Sequence, residues 1–274
     1  MPVISTNTAA NTALRYLNNN SAAQSESLAK LSSGSRIVSA KDDASGLAIA
    51  TSMNADISAL NQAATNVTSG TSVLNTADGA LSNIADILTR MNALTAQAQS
   101  GSSSDDDLSY ITAEYAQLTE EIDDIATTTT FNGVALLDGT SSYSSGVDFL
   151  VGTSSSDVIT VTLDGADTAA LGLTTTAITD STTAKAAMDE IDAAITQVSE
   201  MRANVGASLS RFEFRGDVIS TSLENLQSAK SSISDVDIAT EQTNFTNYQT
   251  LTSAAISALS QANSMSQSLL KLLQ

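Results

Sequence analysis

The feature that most constrains this chain is an apolar stripe that repeats at alternating spacings of three and four, with nothing beneath it to interrupt the backbone. It runs Ala50, Met53, Ile57, Leu60, Ala64, Val67, Leu74, Leu81, Ala85 and Leu88 in one frame, with Thr71 and Asp78 as polar members. Such spacings return to the same face of a helix, and sustained repetition marks a coiled-coil-like seam. Proline would stop the helix through its ring and its missing N–H, yet the only proline is Pro2. The pattern predicts a helix of about fifty residues beginning near Ala44.

Four further frames follow the same rule. Leu14, Leu17, Leu28 and Leu31 share a stripe with a polar waist at Ser21 and Gln24. After a break at Gly101, Ser104 is placed to cap a helix and Asp105 to Asp107 suit its positive end. That helix carries Leu108, Ile111, Tyr115, Leu118, Ile122 and Ile125 and is expected to end by about Thr127. A second very long helix is read from Met188 to Ile233, with Arg202, Gly216 and Lys230 in its polar slots. The last stripe, after Ser234-Asp235, is Leu251, Ala255, Ala258, Ala262, Met265, Leu269 and Leu272.

The centre differs. A β-branched run followed by Asn132-Gly133 points to short extended segments around a tight turn. From Gly139 to Thr183 the chain is dense in Ser, Thr, Gly and Asp, and only FLVG (149–152) and VITVTL (158–163) read as strands, expected to form a hairpin. The fold class is therefore mainly α: a long-helix bundle with coiled-coil-like terminal helices and a small β-hairpin region in the middle. The expected division is a terminal helical core from 1–36 and 240–274, a helix bundle from 40–140 and 184–236, and the hairpin region 141–183. A lone helix with one apolar stripe cannot offset about 1 to 2 kcal/mol of backbone entropy per residue, so the terminal helices are expected to pair and then to pack against other copies.

Composition narrows function. Thirty acidic against eleven basic side chains leave a net charge of −19, and such a surface repels nucleic-acid phosphates and anionic lipid. Cysteine and histidine are both absent, which removes disulfides, thiol nucleophiles, the usual zinc sites, the Ser-His-Asp triad and the commonest general base. No enzyme activity, cofactor or metal is expected. No apolar run approaches the roughly 20 residues that cross a bilayer. The first twenty residues lack a basic start, a continuous apolar segment and a small-residue cleavage site, so no cleaved secretory signal is expected there.

The stretch LSSGSRIVSAKDDASGLAIA (31–50) resembles the signature of bacterial flagellins, and the likeness continues through QAATNVTSGTSVLNTADGALSNIADILTRMNALTAQAQSG and DLSYITAEYAQLTEEIDDIATTTTFNGVALLDG. It returns at NVGASLSRFEFRGDVISTSLENLQSAKSSISDVDIATE and closes with ALSQANSMSQSLLKLL. The resemblance implies a short flagellin without large outer domains, secreted through the flagellar export apparatus and polymerised with itself into the extracellular filament for motility. It implies hook-associated and cap proteins, an export chaperone and a host Toll-like receptor as partners. Self-assembly is assigned to the terminal helices through Leu14, Leu17, Leu28, Leu31, Leu251, Met265, Leu269 and Leu272.

Arg90, Leu94 and Glu114 match the family's receptor-contact positions, while Thr89, Asn92 and Ala93 depart from the strongly detected members and predict weak recognition. The plainer reading makes Arg90 and Glu114 solvated or inter-subunit charges and Leu94 bundle surface. Asp42-Asp43 reads as a helix cap in preference to a cation site. The central Ser and Thr residues suit either a solvated loop or O-glycosylation. The alternative function is a hook-filament junction (hook-associated) protein, against which the KDDASGLAIA and NVGASLSRFEF matches argue. An enzyme carried on a flagellin scaffold would need a catalytic insert; the centre is short and lacks the histidine of a zinc protease.

Overall fold

The computed structural model describes residues 6–100, 104–175 and 177–271. Its helices and strands in chain order are α1 (Thr8–Ser33), α2 (Ala44–Gln99), α3 (Asp105–Thr128), β1 (Thr130–Phe131), β2 (Val134–Ala135), the single-turn α4 (Ser142–Ser145), β3 (Val147–Leu150), β4 (Val158–Val161), α5 (Ser181–Ser234) and α6 (Ile238–Lys271). The fold is mainly α. Among the described residues no helix is long and apolar enough to cross a membrane. The chain forms two compact units, one of Met1–Ile57 with Asn225–Gln274 and the other Ser58–Glu224.

Helix ends follow the local chemistry. Asn7 caps α1 by accepting from the Ala10 N–H at 3.0 Å, and Gly34 ends it in the left-handed region at φ 68°, where a side chain would be strained. Asp43 accepts from the Gly46 N–H at 2.8 Å and so caps α2. Asp42 instead binds the N–H groups of Ser39 and Val38, and these bonds hold its carboxyl below the usual range. At α3, Ser104 and Asp107 make a reciprocal capping box. Asn132 and Gly133 both have positive φ, as a two-residue turn between β1 and β2 requires.

In the terminal unit, residues 34–36 lie beside 234–236: Ser35 bridges Asp235, and the Arg36 N–H donates to the Ser234 carbonyl at 2.6 Å. From that link α1 and α6 run together. Asn7 meets Ala262 at one end and Ser27 meets Glu241 toward the other, so the pair is antiparallel. Its buried positions are small: Ala10, Ser27 and Ala262.

The Ser58–Glu224 unit has a conventional aliphatic core. α2 contributes Val73, Leu74, Ala77, Leu81, Ile84, Leu88 and Met91, a wider face than the single frame read from sequence. α3 adds Ile111, Tyr115 and Ile122, and α5 adds Ile191, Ala194, Val198, Val205 and Phe212. The fit is closest where Phe212 lies over Gly70: a Cβ there would come within 2.7 Å of the ring. Phe149 of β3 meets Phe212 edge-on with centroids 5.6 Å apart.

β3 and β4 form the expected hairpin, pairing Val147 with Val161 through Leu150 with Val158. The residues after it correct the solvated-loop reading of the centre. Leu163, Ala166, Leu171, Leu173 and Ile178 are buried. Thr168 donates to Asp123 of α3 through its N–H at 2.8 Å and its hydroxyl at 2.9 Å. Thr174 and Thr175 donate likewise to Glu190 of α5, and Thr112 of α3 exchanges bonds with the Ile178 backbone. The segment is a strap pinned by carboxylates and hydroxyls.

Candidate self-assembly surface

The antiparallel pair α1–α6 holds most of the residues assigned to assembly, and their placement follows from the small seam. Helices approach closely where Ala and Ser face each other, and the larger side chains are then turned outward. Leu14 is 45% exposed, Leu28 54%, Leu251 49% and Met265 56%. Leu17 and Leu31 are half-buried. Leu269 lies in α6, and Leu272 lies outside the described residues.

The seam also carries polar chemistry that the stripe did not signal. The Ser27 hydroxyl, almost fully buried, donates to the Glu241 carboxylate, and the Asn244 amide donates to the same carboxylate at 3.4 Å. Lys30 sits 3.0 Å from Glu26, and its pKa is raised chiefly by that bond against the opposing effect of burial, with Glu241 and Asp42 adding attraction. The Asn7 side chain donates to the Ala262 carbonyl at 3.0 Å. These bonds satisfy buried polar groups and set the register of one helix on the other. No sequence signal could have found the Ser27–Glu241 pair, whose members lie 214 residues apart.

The second candidate cluster is divided by the fold. Arg90 donates to one carboxylate oxygen of Glu114 through two guanidinium nitrogens, Nε at 2.9 Å and Nη2 at 2.6 Å, with both side chains well exposed. Leu94 is only 3% exposed, which corrects its placement on the bundle surface. It lies three and ten residues after Met91 and Ile84 and so shares their core-facing side of α2. Asn92 donates to Asp192 of α5 at 2.8 Å. Among the described residues no three acidic, cysteine or histidine side chains gather as a metal site.

The surface can bind by apolar contact, and known proteins share the segments that build it. Residues 4–142 match the family model for the bacterial flagellin N-terminal helical region, and residues 188–273 match that for the C-terminal helical region. The chain is 40% identical over 251 residues to a flagellin of Halalkalibacterium halodurans, covering 91% of each. It is 35% identical over 272 residues to a flagellin of Listeria monocytogenes, covering 94% of each. A crystal structure of Bacillus cereus flagellin superposes with a TM-score of 0.50 at 33% identity, over 56% of this chain and 88% of that one.

Proposed function

The chain belongs to the bacterial flagellin family, and on that premise we propose that it polymerises with copies of itself into the extracellular filament of a bacterial flagellum. It acts as a structural protein in motility and makes contacts in place of bonds. The observation that carries this reading is the outward turn of Leu14, Leu28, Leu251 and Met265 on a helix pair already closed on itself. Full burial of such side chains is worth about 1.5 to 3 kcal/mol each, and in this unit only neighbouring copies remain to supply it. Half-buried Leu17 and Leu31 belong to the same stripe as Leu14 and Leu28 and extend the surface, and the sequence pattern of the last stripe assigns Leu269 and Leu272 to assembly as well.

In this reading hook-associated and cap proteins meet the filament ends, and an export chaperone covers the C-terminal stripe before secretion through the flagellar apparatus. A Toll-like receptor would read Arg90 and Glu114 as one joined polar feature. Buried Leu94 supports that feature from beneath, and Thr89, Asn92 and Ala93 keep the response weak. A cell reporter assay on monomer tests the last point, and activation equal to that of a strongly stimulating flagellin overturns it. The central test is seeded polymerisation of purified protein followed by sedimentation and electron microscopy. Micrometre filaments are expected; persistent monomer in the presence of seeds overturns the assignment.

A further inference from the structure

Two aromatic side chains of the Ser58–Glu224 unit are turned to solvent far more than its core requires: Phe214 is 72% and Tyr110 73% exposed. Phe214 walls a groove of about 360 Å³ between α5 and β4, floored by Val158, Ile159 and Val218 and rimmed by Arg211 and Arg215. Arg215 lies 3.6 Å from Asp157. Arg211 has no carboxylate partner among the described residues. Arg211, Phe214 and Val218 share one helix face, and Glu213 and Asp217 lie on the flank away from it.

Tyr110 has the opposite setting. It stands in the first turns of α3, with Asp106 four residues before it and Glu114 four after. Glu114 is engaged by Arg90, whereas Asp106 has no basic partner among the described residues. The bond between Thr112 and Ile178 places these turns beside the start of α5. Arg211 is roughly thirty residues further along α5, about 45 Å at 1.5 Å per residue.

We infer that the Phe214 groove receives the Tyr110 end of α3 from a second copy, with Arg211 facing that copy's Asp106. The inference rests on the filament reading and names one contact within it. Two copies each carrying a charge of −19 repel over most of their surfaces, so an unpaired arginine beside an apolar groove marks where an acidic, aromatic segment is accepted. Because groove and knob are different patches of one chain, each contact leaves a free groove on one copy and a free knob on the other. Such a heterologous contact adds copies head to tail and builds an open filament when its rotation does not close a ring.

The test uses seeded assembly of the chain with Arg211→Glu, with Asp106→Arg, and with both. Each single change should raise the critical concentration on the order of tenfold with unchanged circular-dichroism melting, and the combined swap should restore assembly. The chain has no cysteine, so Phe214→Cys with Tyr110→Cys reports proximity directly: oxidised filaments should run as a ladder of multimers on a non-reducing gel. Singles that assemble like the unchanged chain, a swap that fails to restore assembly, or cross-linked filaments without a ladder overturn the contact and leave the filament reading standing. A discrete dimer joined through Phe214→Cys alone also overturns it. Failure of the unchanged chain to polymerise removes both.

Discussion

Arg202 of α5 reaches Asp78 of α2 with its Nε 3.0 Å from the carboxylate, so the polar residues that interrupt the two longest apolar stripes answer one another. Both side chains remain more than a third exposed, where solvent screens the pair. Its role is to let polar groups sit at seam positions without being stranded. Asp78→Ala should therefore cost less than about 1 kcal/mol in urea unfolding of the chain. A loss of several kcal/mol would show that Arg202 is desolvated and depends on its partner.

Glycine substitutions separate two kinds of helix position. Gly79 and Gly206 have open space where a Cβ would stand, so replacing either with Ala should stabilise by roughly 0.5 to 1 kcal/mol through helix propensity. Gly70 faces the Phe212 ring, itself held by Phe149, and Gly70→Val should destabilise by about 1 to 3 kcal/mol through overpacking. Thermal melting of the three variants checks the difference in sign.

The strap implies an acid-sensitive contribution. Burial pushes the Glu190 carboxyl up, but bonds from the Thr174 hydroxyl and the Thr174 and Thr175 N–H groups outweigh it, and the net shift is downward. A carboxyl lowered on folding adds stability that is present above its ordinary value of 4.5 and is lost as pH falls through the folded value. Glu190→Gln should lower stability at neutral pH and flatten its decline in acid. Urea midpoints from pH 7 to pH 3 measure both; an unchanged acid slope would count against the strap's dependence on this carboxylate.

Folding and assembly should separate in the terminal helices. Leu28→Asp with Leu251→Asp changes side chains already about half exposed, so melting should scarcely move while polymerisation fails. Removing 1–36 and 240–274 should likewise leave a folded helical monomer, because the aliphatic core of the Ser58–Glu224 unit stays whole. Sedimentation of seeded samples and circular-dichroism melting read the two properties independently. Truncated protein that still forms filaments refutes the separation.

The sequence alone determined the helices, the turn at Asn132-Gly133, the hairpin and the family, because periodicity, capping and turn chemistry act between residues close along the chain. It could place Ser104 and Asp43 at helix starts from neighbours alone. It could not tell which side of a stripe meets another helix. Leu94 entered the core because it shares the face of α2 that carries Ile84 and Met91, and Leu14 and Leu251 turned outward because the α1–α6 seam is lined by Ala10, Ser27 and Ala262; packing over long separations made both choices. The segment after the hairpin became a strap that buries Leu163, Leu171 and Ile178 for the same reason: Asp123, Thr112 and Glu190 offer partners only after α3 and α5 have come together. Local pattern thus decided which segments are helical, while the faces left open for another copy were decided by the tertiary fold, since burial is a property of surfaces brought together and not of residue order.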